Sequence, residues 1–207
     1  MTATGPQPRE VLARLRALGC PTVMGNADAE LFDPASIAAT NDDARKVAEI
    51  DRWGADQLDE EDRAFIASFR PTVEIALGAE TTLLCCHGSP RSFDDIIVAT
   101  TPDAEIDGMM AASEAAVVAG GHTHVRLLRA CRGREIVNPG SVGLAYQFFP
   151  DGRVRVPPWA EFAIMSCPEE GALSVQFRRV PYDRDATVRA MNERGMPHAT
   201  WWSADWH

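Results

Sequence analysis

The run Ala115-Ala116-Val117-Val118-Ala119-Gly120-Gly121-His122-Thr123-His124 decides how the chain is read. Five small or β-branched apolar residues form a buried strand, a glycine pair ends it, and two histidines one residue apart follow on a hinged turn. The same grammar occurs three more times: Val23-Met24-Gly25-Asn26, Leu84-Cys85-Cys86-His87-Gly88, and Ile136-Val137-Asn138-Pro139-Gly140-Ser141. In α/β sheets the loops leaving the carboxyl ends of neighbouring strands meet in one crevice, where ligands bind. Three of the five histidines lie in these four loops.

Working outward, Val11, Leu12, Leu15 and Leu18 recur at helical spacing over Arg9 to Leu18, with Pro8 suited to the first turn and Gly19 to the stop. Pro21 to Met24 reads as a short buried strand. Asn41 to Leu58 reads as a helix with an Asn start and a weak point at Gly54, and a second helix begins at Asp59 and stops before Pro71. From Thr72 the period becomes extended: Val73, Ile75 and Leu77 alternate with polar or small residues, Gly78-Ala79-Glu80 turns, and Thr81 to Cys86 returns as a hairpin strand. Thr101-Pro102 opens a helix running to about Ser113, as N-cap and first helical residue. Val125 to Ala130 and Glu135 to Val137 pair around Arg132-Gly133, and Glu161 to Cys167 and Ala172 to Val180 pair around Pro168-Glu169-Glu170-Gly171. Early helices and late antiparallel strands make a layered α/β domain with a mixed sheet. The last stretch holds a helix over Arg184 to Glu193, then Trp201, Trp202 and Trp206, whose rings either dock the tail on the body or form a subunit interface.

The 207 residues carry 30 acidic and 20 basic side chains, a formal charge of -10, with the cations scattered, which excludes non-specific grip on nucleic acid or an anionic membrane. No apolar run is long enough to span a bilayer, and the start lacks a basic and an apolar signal region, so the expected location is cytoplasmic. Five cysteines without a Cys-x-x-Cys pair read as reduced, buried thiols.

An Asn and three His suit metal chemistry. Neutral imidazole is the commonest metal ligand, and an Asn carbonyl oxygen adds a donor without adding charge. His122 and His124 can point at one ion or at two ions about 3.5 to 4 Å apart, the spacing of two-metal phosphoryl-transfer sites. Taken singly, His87 could be a satisfied core histidine, Asn26 and Asn138 turn-formers, and Asp28 a cap. Asn138-Pro139-Gly140-Ser141 reads equally as a turn or as the wall of a groove.

Together, Gly25-Asn26-Ala27-Asp28, His87-Gly88-Ser89-Pro90, Gly121-His122-Thr123-His124 and Asn138-Pro139-Gly140-Ser141, in this order, resemble the motifs of the calcineurin-like metallophosphoesterases, most closely their small bacterial and archaeal phosphodiesterase-like branch. The resemblance covers residues 5 to 182, with Val180-Pro181-Tyr182-Asp183 at its end. It implies a four-layer α-β-β-α fold, a two-sheet sandwich flanked by helices, in a domain over 1–182 with residues 183–207 as a helix and Trp-rich tail packed on it. It also implies hydrolysis of small phosphate mono- or diesters by a metal-bridged hydroxide, with Asn26, His87 and His122 on one divalent ion and His124 on the other. The ions would be manganese, iron, zinc or nickel, and they would supply the positive centre an acidic chain lacks.

Two departures shape the expectations. Ala27 stands where the family usually offers a histidine, so catalytic and substrate-binding residues remain unassigned. The family's opening Asp-x-His and Gly-Asp motifs have no counterpart here, while Thr4-Gly5-Pro6-Gln7-Pro8-Arg9-Glu10-Val11 resembles the segment that follows Gly-Asp. The resemblance therefore implies a domain without its first β-α-β unit, starting just after the bridging aspartate. Two outcomes follow: a metal-dependent phosphoesterase whose full chain starts earlier, or a non-catalytic metallophosphoesterase-like protein that binds one metal or none and recruits a partner, self-association included.

Overall fold

A computed structural model describes residues 4–33, 41–78, 81–167 and 173–207. The chain forms two compact units, residues 1–69 with 183–206, and residues 70–182 with 207.

The first unit is helical. Helix α1, Pro8–Leu18, starts with proline in its first turn and ends on Gly19 in the left-handed conformation, as its sequence predicts. Helix α2, Asn26–Glu30, follows Gly25. Helix α3, Asp42–Ala55, is capped by the Asn41 side chain, which accepts from the Ala44 amide at 2.8 Å, and Gly54 does not break it. Helix α4, Glu60–Ala67, is capped by Asp59, which accepts from the Asp62 amide. The expected strand at Pro21–Met24 shrinks to a single bridge residue, Val23; Pro21 has no amide to give a ladder. Met24 instead joins the cluster of Leu12, Leu58, Ile66 and Phe69. Two arginines of α1, Arg9 and Arg16, converge on buried Asp62 at 3.0 and 2.9 Å. The tail contributes α6, Arg184–Glu193, capped by Asp183, and α7, Ala199–Trp202, with Trp206 buried and Lys46 lying 4.7 Å over the Trp201 ring.

The second unit carries the sheet. Strands β1, Val73–Ala76, β2, Thr82–Cys85, β3, Val117–Ala119, β4, Leu127–Cys131, and β5, Arg134–Asn138, line up in the order β1-β2-β3-β5-β4. The middle three run parallel, and β1 and β4 close the edges antiparallel, so the sheet is mixed as expected. The β4–β5 hairpin turns on Arg132 and Gly133, both at positive φ, which matches the right-handed twist of its strands. The expected inward alternation of β1 holds for Val73 but not for Ile75, which is exposed. Helix α5, Asp103–Met109, crosses over from β2 to β3 and is shorter than predicted. Pro102 is its N-cap, because the Thr101 hydroxyl is taken by the Val98 amide instead. Beneath it lies the core of Leu84, Ile97, Ile106, Met110, Val118 and Ile136.

Two further two-stranded sheets complete this unit: β6, Gln147–Phe148, with β7, Val154–Arg155, and β8, Trp159–Ser166, with β9, Ser174–Pro181. The β6–β7 pair is too short for sequence periodicity to reveal. The expected turns at 79–80 and 168–171 fall outside the described residues. All five cysteines are free. Burial pushes the Cys86 thiol up to about 12, whereas Cys20 is exposed, contrary to the expectation that all are buried.

Candidate metal centre

Because β2, β3 and β5 are adjacent and parallel, their carboxyl ends open on the same edge of the sheet. His87 leaves β2, the 120–124 loop leaves β3, and Asn138 ends β5. Backbone bonds carry the pairing past the strand ends: Cys86 donates to the Ala119 carbonyl, Gly120 to Val137, and Gly121 to His87 at 2.6 Å. Three of the four motifs are thereby brought to one place. The fourth belongs to the other unit, where Asn26 is the first residue of α2 and Asp28 accepts from the Gly25 amide at 3.1 Å. Asp28 takes the capping role that its position in the sequence offered.

The His122 Nδ1 and His87 Nε2 atoms face one another at 3.3 Å, with ring centroids 5.2 Å apart. His122 and His124 both hold left-handed backbone, φ 61° and 58°, where residues with a Cβ rarely sit. Such strain persists only where the surroundings over-determine it. Here Asn138 does so. Buried at the end of β5, it donates to the Gly121 carbonyl at 2.6 Å and the Thr123 hydroxyl at 3.0 Å, and accepts from the Gly140 amide at 2.9 Å. Asn138 thus acts as a clamp joining two loops, more than the turn-former or groove wall its sequence offered.

Gly140 is required for a different reason. At φ +90° a Cβ there would lie 2.2 Å from the Glu161 carboxylate, which is buried against Arg126 and Arg179. Gly88 is equally confined, since a Cβ would come within 2.8 Å of the Phe93 and Asp95 backbone. The turn beyond it is held by Asp95, which accepts from the Ser89 hydroxyl at 2.6 Å and from Arg91 at 2.7 Å.

His124 is directed elsewhere. Its ring stacks on Tyr146 at 5.2 Å and 25°, and its Nδ1 is buried without a hydrogen-bond partner. Burial, with a smaller contribution from His122, holds it down to about 4, against which the Leu144 backbone favours protonation by less. At neutral pH the ring is therefore uncharged, the form that ligates metal. Sequence reasoning missed Tyr146; an aromatic eight residues past a strand end carries no periodic signal. A cavity of about 460 Å³ lined by Thr72, Glu74, Thr82 and Glu114 is lined by none of the histidines. That hollow is thus not where the histidines gather.

A family model described as the calcineurin-like phosphoesterase superfamily domain matches residues 4–156, most of the chain. The chain belongs to the calcineurin-like phosphoesterase superfamily. Among solved structures it is similar to a hypothetical protein from Pyrococcus horikoshii, at 18% identity and TM-score 0.75, over 97% of this chain and 80% of that one. It is also similar to a metallophosphoesterase from Sphaerobacter thermophilus, at 23% identity and TM-score 0.64, over 95% and 81%. Both likenesses speak to fold. No curated protein matches the chain in sequence.

The superfamily generally works with divalent metals, and the residues present fit such an ion. With metal–nitrogen bonds of about 2.0–2.1 Å, neighbouring donors on a tetrahedral ion lie roughly 3.3–3.4 Å apart, the separation of the His87 and His122 nitrogens. The orphaned Nδ1 of His124 is a further buried donor seeking a partner. Among the described residues, no three of His, Cys, Asp and Glu cluster together, so the pair brings no carboxylate of its own.

Proposed function

We propose that the protein is a metal-dependent phosphoesterase acting on small phosphate mono- or diesters, with His87 and His122 as donors to one divalent ion and His124, apart from that pair, as a donor to a second. The observation that carries this reading is the 3.3 Å approach of two imidazole nitrogens on neighbouring parallel strand ends. When bound, a divalent ion supplies Lewis acidity to a phosphoryl oxygen and acidifies water. The chain's own part is positioning. Asn138 fixes the 121–124 loop, Gly121 ties that loop to the His87 carbonyl, and burial keeps the His124 ring uncharged.

Ala27 favours a second reading. It offers no proton donor beside Asn26, and with no carboxylate clustered on the histidine pair among the described residues a non-catalytic metal-binding or interaction protein would need nothing more. One experiment separates the two. Purified protein is loaded with manganese, analysed for bound metal, and assayed with p-nitrophenyl phosphate and bis-p-nitrophenyl phosphate. Turnover that falls at least about a hundredfold in His87→Ala and His122→Ala supports the phosphoesterase. Bound metal without turnover supports the second reading.

A further inference from the structure

We infer that Tyr146 and Phe148 form a platform for a planar aromatic group on the substrate, so that the preferred esters carry an aryl ring or a nucleobase. This rests on the phosphoesterase reading for the word substrate, but not for the binding it describes. The ring of His124 stacks on Tyr146 at 5.2 Å, and Tyr146 meets Phe148 edge-on at 5.9 Å, so aromatic surface runs continuously from the candidate metal donor outward. At the far end Phe148 is 65% exposed, with Val142 of the preceding loop 69% exposed. Single apolar side chains at a surface need no explanation; a ring reached from a half-buried histidine through a second ring does.

The backbone beneath the platform is tied down by hydrogen bonds. Ala145 is buried, the Leu144 amide donates to the Ser141 hydroxyl, and Phe148 lies in a strand pairing with Val154, closed by the Phe149 amide on the Arg153 carbonyl at 2.9 Å. The backbone that carries the exposed ring is therefore held without a ligand to order it, which lowers the cost of binding. Its two steps place Phe148 at most about 11 Å from His124, close enough for one ester to reach both. Stacking on an aromatic side chain is sequence-tolerant, which gives a preference for flat rings rather than for one base.

The test compares dissociation constants of the manganese-loaded protein by calorimetry for adenosine 5′-monophosphate against ribose 5-phosphate, and for phenyl phosphate against glycerol phosphate. The aromatic member of each pair should bind about fivefold tighter or more, and Phe148→Ala should erase that ratio while Phe148→Tyr keeps it. The pair losing more names the source, a nucleobase or an aryl ester. Equal affinities within both pairs, a ratio that Phe148→Ala leaves unmoved, or no binding of any of the four overturns the inference. Absent turnover with the ratio intact defeats the phosphoesterase reading and leaves the platform standing.

Discussion

At the scale of single residues, Asn138 does more for the centre than any ligand candidate does for the fold. Its amide satisfies groups on two loops from inside the protein. Asn138→Ala removes all of these bonds and leaves the Gly121 carbonyl to the Thr123 amide, at about 2 kcal/mol of stability. Urea unfolding will show that loss, and manganese affinity will fall with it as the 121–124 loop relaxes. Sequence alone located Asn138 at a strand end yet could not choose among its roles, because an Asn before Pro-Gly serves turns and ligands alike. His122 and His124 stood out for the opposite reason, since histidines after a glycine-terminated strand have little packing value, whereas His87, which follows Cys86, drew its weight from their company. What sequence could not show is their division, with His87 and His122 face to face and His124 laid on Tyr146.

At the scale of elements, the turns after β2 and β5 rest on contacts that local pattern does not encode. Gly140→Ala would press a Cβ into the Glu161 carboxylate at unfavourable φ, and about 2–4 kcal/mol of destabilisation is expected, readable as a lower urea midpoint. The Asp95 clamp has a pH signature. Hydrogen bonding from Arg91, then from Ser89, holds its carboxyl below the usual aspartate range despite burial. A carboxyl lowered in the folded state stabilises above its unfolded value of 3.8 and ceases to do so as pH falls through the folded value. Asp95→Asn should therefore be less stable than the parent by about 1 kcal/mol at pH 7, and the gap between their urea midpoints should close below about pH 4. The starts of helices with amphipathic spacing and caps were placed within a residue by sequence, as α1, α3, α4 and α6 show, whereas α3 ends three residues before the expected Leu58. Pieces of two to four residues, β6, β7 and α7, were not, since their pairing partners alone define them.

At the scale of the whole molecule, a chain of net charge -10 brings two neutral imidazoles, with no carboxylate clustered on them among the described residues, to the edge of its central sheet, so an ion bound there would add charge the protein lacks. Metal at a hundred times its dissociation constant should stabilise the unit spanning 70–182 by about 2.7 kcal/mol, raising its melting temperature by roughly 5–10 °C. Differential scanning calorimetry with and without manganese checks this; the shift should vanish in a His87→Ala, His122→Ala double variant. No described helix is long and apolar enough to cross a membrane. The left-handed backbone of His122 and His124 carries a practical corollary. Each stores a small conformational debt that glycine would not carry, so a screen for heat resistance run without metal would steadily select both histidines away. Run with metal present, the same screen would keep them.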